Sequence, residues 1–110
     1  MAMNEKKIYN KLVRDKIPDI IRADGKTCMY ETLSPEEYLR CLDEKLNEEL
    51  AEYQESKSLE ELADLLEVMM AVVKARGYTW EQLAALCEKK RKERGGFDKR
   101  ILLKEVHDPK

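Results

Sequence analysis

The sequence predicts a mainly α-helical fold, and three observations support this class. Helix-capping signals begin three segments, at Ser34-Pro35-Glu36-Glu37, Ser58-Leu59-Glu60-Glu61 and Thr79-Trp80-Glu81-Gln82. Apolar residues then recur at three- and four-residue steps, as on the inner face of a helix. Only four Gly and three Pro occur in 110 residues. Because the connections are short, we expect an antiparallel helical bundle in a single domain, residues 1–110.

Four helices are expected in chain order. The shortest should open at Pro18, since proline suits the first turn of a helix. The approximate ranges are 18–25, 34–55, 59–76 and 79–95, and Gly95-Gly96 should end the last helix. The third helix is nearly all apolar between Leu62 and Val73, which predicts burial on several sides. Residues 28–33 and 101–106 are expected as strands, so that a small β-hairpin or two-stranded sheet accompanies the bundle.

Composition narrows the possible functions. The formal net charge is −2, which provides no basic excess for a nucleic-acid or membrane surface. No apolar stretch is long enough to cross a bilayer, and the first residues lack a signal-peptide core, so we expect a cytoplasmic protein. Three scattered cysteines and one histidine argue against a disulfide framework or a zinc site and favour buried reduced thiols. A domain this small is expected to form a homodimer or homotetramer.

Four acidic residues form two pairs at i, i+3 spacing, Glu49 with Glu52 and Glu61 with Asp64. Residues at this spacing lie on one face of a helix. A turn near residues 56–58 should fold the two helices into a hairpin, which brings both pairs to the same end of the bundle. The sequence therefore predicts a shared carboxylate site.

Two of these carboxylates stand where packing favours a hydrocarbon. Glu49 continues an apolar stripe, while Asp64, like Glu67, interrupts an apolar helix. An unpaired, ionised carboxylate is strongly disfavoured in such a setting. Oxygen ligands without His or Cys favour Mg²⁺, with Mn²⁺ as a substitute, over zinc. A buried ion-pair network with Lys or Arg is the alternative explanation.

Simpler explanations remain open for the other acidic residues. Glu48 and Glu52 are compatible with solvated charges on a helix in a chain that is 40% charged. A capping box in which Glu61 is the reciprocal partner of Ser58 would explain Glu61 without a metal. These three residues therefore support a metal site less strongly than Glu49 and Asp64 do.

Two basic groups flank the acidic residues and could bind phosphate. The first group, near the start, is Asn10, Lys11, Arg14 and Lys16, of which Asn10 is the uncharged member; the second, near the end, is Lys89, Lys90 and Arg94. Arginine can form paired hydrogen bonds with a phosphate, whereas lysine acts as a point charge. An ordinary ion pair with a neighbouring aspartate is the alternative for Arg14. A basic helix terminus that suits the helix dipole is the alternative for the second group.

The motif Glu48-Glu49-x-x-Glu52 followed by Glu61-x-x-Asp64 resembles the signature of the all-α nucleotide pyrophosphohydrolase superfamily. That superfamily includes MazG-type enzymes, dimeric dUTPases and phosphoribosyl-ATP pyrophosphohydrolases. The stretches Tyr9-Asn10-Lys11-Leu12-Val13-Arg14-Asp15-Lys16-Ile17-Pro18 and Lys90-x-x-x-Arg94-Gly95-Gly96-Phe97 are similar to its small, single-domain, phosphoribosyl-ATP pyrophosphohydrolase-like branch.

This resemblance implies a MazG-like bundle that hydrolyses a nucleoside triphosphate, or a related nucleotide, between the α- and β-phosphates. The products would be a monophosphate and pyrophosphate. Glu49, Glu52, Glu61 and Asp64 match the magnesium ligands, and Glu48 lies beside them, where it could order a ligand or the attacking water. Glu48 and Glu49 are the expected catalytic residues.

Alternatives to this function stay open at the level of the sequence. The first is a non-catalytic helical module that binds a nucleotide or a protein partner. The second, narrower alternative is the phosphoribosyl-ATP pyrophosphohydrolase of histidine biosynthesis. No sequence feature selects that substrate over an ordinary or damaged nucleoside triphosphate, so a housecleaning enzyme is the expectation.

Overall fold

The structure, a computed structural model, describes residues 6–109. It contains four α-helices and, within this range, no β-strand. The helices are α1 (Ile17–Ala23), α2 (Pro35–Ser56), α3 (Leu59–Ala75) and α4 (Trp80–Arg94). The predicted mainly α-helical class is confirmed, and each helix begins and ends within two residues of its expected range.

Side-chain caps set where the three long helices begin. Each N-cap side chain accepts a hydrogen bond from the backbone N–H three residues later, and these N-caps are Ser34, Ser58 and Thr79. Only Thr79 and Gln82 complete a reciprocal capping box. The backbone N–H of Ser58 donates instead to Ser56 Oγ, at 3.2 Å. The carboxylate of Glu61 therefore takes no part in the cap of α3, which removes the simpler explanation for that residue.

Helices α2 and α3 form the hairpin that the sequence predicts. Two residues connect them: Lys57, the C-cap of α2 in the left-handed conformation (φ 57°), and Ser58, the N-cap of α3. The two helices pack along their length, whereas the contact of α4 with α3 is slight and α1 packs against no other described helix. Leu42 on α2, which is 2% exposed, and Val68 on α3 form the small apolar core. The observed bundle is thus an antiparallel pair with a loosely attached third helix.

One face of α3 stays uncovered. Its exposed large apolar side chains recur at helical spacing and are Leu59, Leu62, Leu66, Met69 and Met70; this set is named the outer stripe. The prediction that α3 is buried on several sides is wrong for the single chain, because α2 covers one face only.

The predicted β-hairpin or two-stranded sheet is absent from the described residues. Residues 28–33 and 101–106 contain no strand and make no backbone–backbone hydrogen bond. An extended segment becomes a strand only when a neighbour pairs with its N–H and C=O groups. The chain does not bring these two segments together. Their residues favour extended backbone, but no hydrogen-bonded sheet forms.

Several side chains that suit a core lie in solvent. Phe97 is 97% exposed, and the apolar residues of the C-terminal segment are exposed as well. Cys28 and Cys41 are half-buried and Cys87 is exposed, so the prediction of a buried thiol is wrong for Cys87. No described helix has both the length and the apolar character needed to cross a membrane.

We expect Leu42→Ala to lower the free energy of unfolding by about 3 kcal/mol, because it opens a cavity between α2 and α3. The matched control, Leu103→Ala, truncates an exposed side chain and should change stability by less than about 0.5 kcal/mol. Denaturant titration followed by circular dichroism measures both values. Equal losses in the two variants would contradict this location of the core.

Candidate metal centre

Carboxylate oxygens from α2 and α3 meet beside the turn that joins these helices. They form two overlapping groups, one of Glu48, Glu49 and Glu52, the other of Glu49, Glu61 and Asp64. Within each group, one oxygen per residue lies within 4.8 Å of the others. Adjacent oxygens around Mg²⁺ are about 3 Å apart and opposite ones about 4 Å, as follows from metal–oxygen distances of about 2.1 Å. The separations in each group are therefore comparable to those between oxygens that share one Mg²⁺ ion.

Glu49 is the centre of the cluster and belongs to both groups. Its side chain is only 9% exposed, and its Oε1 lies 3.5 Å from Lys45 Nζ. Its other oxygen, Oε2, is buried without a hydrogen-bond partner, as is Oε2 of Glu61. A buried carboxylate oxygen without a partner is costly, so these two atoms lack the cation or donor that would stabilise them.

The electrostatics of the cluster follow from burial and from crowding of like charges. Burial, and then the neighbouring carboxylate of Glu52, raise the pKa of Glu49 above its ordinary range. The same two causes, in the same order, raise the pKa of Glu61. A divalent cation would remove both causes, because it replaces lost hydration and compensates the negative charge.

Glu48 lies at the edge of the cluster and is held by two lysines. Its Oε1 accepts a hydrogen bond from Lys11 Nζ at 2.9 Å, and its Oε2 accepts one from Lys45 Nζ at 3.3 Å. The bond from Lys11 lowers the pKa of Glu48, so this carboxylate is ionised at neutral pH. Glu48 is thus half-buried and ion-paired, and the description as a freely solvated charge does not fit it.

Asp64 reaches the cluster, but its burial differs from the sequence prediction. Its side chain is 41% exposed, and its Oδ1 accepts a hydrogen bond from Arg14 Nη2 at 2.7 Å. Glu67 is exposed as well. The expectation that both acids interrupt a buried helix is wrong, because Glu67 is exposed and Asp64, although it meets Glu49 of α2, is only partly covered. Asp64 is therefore explained in part by its ion pair with Arg14.

The two basic groups are placed differently. Lys11 and Arg14 both contact the cluster, and Asn10 directly precedes Lys11 with a positive φ of 45°. Arg14 pairs with Asp64 and not with the neighbouring aspartate in sequence. Lys90 and Arg94 are exposed on α4, and no hydrogen bond or ion pair within residues 6–109 joins them to the carboxylates.

Lys45 is a member of this site that sequence reasoning missed. Its largely buried ammonium group lies between Glu48 and Glu49, three and four residues further along α2. This i, i+3 and i, i+4 spacing is a signal that the sequence does contain. Lys45 supplies part of the ion-pair network that was the alternative to a metal, yet it leaves Oε2 of Glu49 without a partner.

Comparison with known proteins adds one partial match. No family model and no solved structure matches the chain. A protein of Mycolicibacterium smegmatis, described as uncharacterized, is 58% identical over 41 residues. The match covers 37% of this chain, and the chain spans 42% of the length of that relative. The fold and the site themselves describe a mainly helical protein with a carboxylate cluster on a helical hairpin.

Without divalent cations, we expect the free energy of unfolding to fall as the pH rises from the ordinary carboxylate value of 4.5 toward neutrality. The raised pKa values of Glu49 and Glu61 mean that the folded state binds more protons than the unfolded state in this range. Their contribution to stability is therefore lost as the pH rises through the folded pKa values. The lowered pKa of Glu48 acts in the opposite direction, so a variant is needed to isolate Glu49.

Glu49→Gln should flatten this pH dependence and stabilise the metal-free protein at neutral pH. The matched control is Glu67→Gln, which removes the same charge from an exposed position on α3. Denaturant titrations in the presence of a chelator measure the effect. A pH profile for Glu49→Gln that coincides with the wild-type profile would contradict the raised pKa of Glu49.

Proposed function

We propose that this protein is a Mg²⁺-dependent nucleotide pyrophosphohydrolase with a MazG-like helical core. It hydrolyses a nucleoside triphosphate, or a related nucleotide, between the α- and β-phosphates, and its role is the removal of unwanted nucleotides. The observation that carries the proposal is the carboxylate cluster on α2 and α3, in which buried oxygens of Glu49 and Glu61 lack partners. Two cationic side chains, Lys11 and Arg14, stand at the same place.

The donor chemistry of the cluster fits magnesium. Its ligand set is Glu49, Glu52, Glu61 and Asp64, all oxygen donors, and Mn²⁺ would be accepted in its place. The unpartnered Oε2 of Glu49 is an independent sign that a cation belongs there. When bound, Mg²⁺ would neutralise phosphate charge and lower the pKa of a coordinated water.

The chain's own residues have separable roles in the proposed reaction. Arg14 and Lys11 bind the phosphates, the first by paired hydrogen bonds and the second as a point charge. A water oxygen attacks the α-phosphorus. The bond from this phosphorus to the oxygen that bridges the α- and β-phosphates breaks, and pyrophosphate leaves with the bonding electrons. Glu49, the buried carboxylate at the centre of the cluster, accepts the proton of that water. Glu48 stays ionised, orders the attacking water and holds Lys11 in place.

Purified protein incubated with Mg²⁺ and a panel of nucleoside triphosphates should release pyrophosphate. Glu49→Gln and Asp64→Asn should each lower turnover by at least about 100-fold, because each removes a carboxylate needed for the metal or for proton transfer. Glu67→Gln, an exposed position on the same helix as Asp64, is the matched control and should retain wild-type turnover. A coupled pyrophosphate assay measures all four proteins.

Two results would count against this function. Robust turnover by both Glu49→Gln and Asp64→Asn would show that the cluster is not the active site. Magnesium binding by the wild type, without turnover of any nucleotide in the panel, would instead favour the non-catalytic binding module.

We further propose that two or more copies associate, as the size of the chain predicts. The radius of gyration is 20.2 Å, whereas a compact chain of this length has roughly 13 Å. The accessible surface is 10894 Å², against roughly 6,300 Å² for a compact protein of the same mass. The excess is larger than the area that a stable dimer buries. The outer stripe of α3 is the apolar surface that a second copy would cover, and this copy could bring Lys90 and Arg94 to the cluster.

Light scattering coupled to size exclusion should give a mass of two or more chains, where one chain is 12.9 kDa. The double substitution Leu66→Glu with Met69→Glu places charge on the outer stripe and should reduce the oligomer mass or the helical circular dichroism signal. The control, Met29→Glu, alters an exposed apolar residue outside the stripe and should leave both unchanged. A wild-type mass of one chain at every concentration would refute self-association.

A further inference from the structure

An irregular basic segment crosses the carboxylate cluster. Residues 8–16, named the basic strap, contain no helix or strand. Their two backbone–backbone hydrogen bonds lie at the start of α1, where Arg14 O accepts from Ile17 N–H at 3.1 Å and Lys16 O accepts from Ile20 N–H at 3.0 Å. The apolar side chains Ile8, Tyr9 and Val13 are exposed, and Leu12 is half-buried, so the apolar packing of the strap is limited. Two ion pairs, with partners 37 and 50 residues away along the chain, join the strap to α2 and α3.

The two ion pairs differ in whether their carboxylate belongs to the proposed metal ligands. Lys11 binds Glu48, which is not among the four proposed metal ligands. Arg14 binds Oδ1 of Asp64, which is one of those ligands and shares a group with Glu49 and Glu61. A guanidinium at this oxygen and a divalent cation beside it would repel each other at short range, in a site that is partly shielded from water.

We propose that Arg14 and a divalent cation exclude each other at Asp64, so that cation binding frees Arg14 to bind phosphate. The inference rests on the proposed function and adds an order of events to it, because the strap releases its arginine only when the metal site is filled. Lys11 remains on Glu48 and keeps the strap tethered beside the cluster. Arg14 is thus a positioning residue before the cation binds and a phosphate ligand afterwards.

The exposure of the second ion pair suits an exchange. The side chains of Arg14 and Asp64 are 59% and 41% exposed, and an ion pair this accessible to water contributes little free energy. Such a pair is weak enough for a divalent cation to displace it. An enclosed and fully dehydrated pair would resist exchange.

The first test is calorimetric titration with Mn²⁺ alone. Arg14→Gln should tighten cation binding by about three- to fivefold, the equivalent of one partly exposed ion pair that no longer competes. Arg76→Gln is the matched control, because Arg76 forms a comparable pair with Asp43 at 3.1 Å outside the cluster. This control should bind Mn²⁺ as the wild type does. Lys11→Gln, which removes a nearby charge without freeing a ligand, should give a smaller gain than Arg14→Gln.

The second test follows the strap itself by limited trypsin digestion and mass spectrometry. Mg²⁺ should accelerate cleavage within residues 8–16 of the wild type severalfold relative to cleavage after Lys104. The latter bond lies in an exposed segment and corrects for any effect of the ion on the protease. In Asp64→Asn, strap cleavage should already be fast and Mg²⁺ should change it little.

The outcomes separate this inference from the proposed function. If the wild type binds no divalent cation, both are wrong. If it binds the cation and releases pyrophosphate, but Arg14→Gln binds Mn²⁺ no more tightly than Arg76→Gln, only the exchange is wrong. Strap cleavage that Mg²⁺ slows or leaves unchanged would overturn the exchange as well.

Discussion

A carboxylate buried between two helices constrains much of this structure. Glu49 lies on α2 about two helical turns before the connection to α3, and one of its oxygens has no partner. Packing alone would favour a hydrocarbon at this position, and an ionised oxygen there weakens the hairpin. The neighbouring groups can be understood as responses to this charge. Lys45 partly neutralises it, and Lys11 and Arg14 pair with the neighbouring acids Glu48 and Asp64.

The helices could be predicted from the sequence because their signals are local. Ser34, Ser58 and Thr79 act through hydrogen bonds to the next turn, which requires no knowledge of the rest of the chain. The i, i+3 spacing of the acids and the short turn after α2 likewise placed Glu49, Glu61 and Asp64 together, as observed.

The remaining features could not be predicted because they depend on distant neighbours. Residues 28–33 and 101–106 have the composition of strands, but pairing requires a partner that the single chain does not bring alongside. The predicted burial of Asp64 was too high. The apolar composition of α3 indicates that the helix has apolar surface to bury, but it does not indicate which of its faces another element covers. The contacts of Lys11 and Arg14 with the cluster span the hairpin and follow from no local spacing.

The connection between α2 and α3 has a consequence for how this sequence can diverge. Both of its residues already serve as caps, Lys57 for α2 and Ser58 for α3, so the turn has no spare length. If an inserted residue joined the first turn of α3 while Ser58 stayed in place, Glu61 and Asp64 would rotate by about 100° about the axis of α3, away from Glu49. The identity of Lys57 is much freer, since glycine or asparagine suits its left-handed backbone at least as well. Homologues that keep the acidic cluster should therefore vary in the residues of this turn while conserving its length.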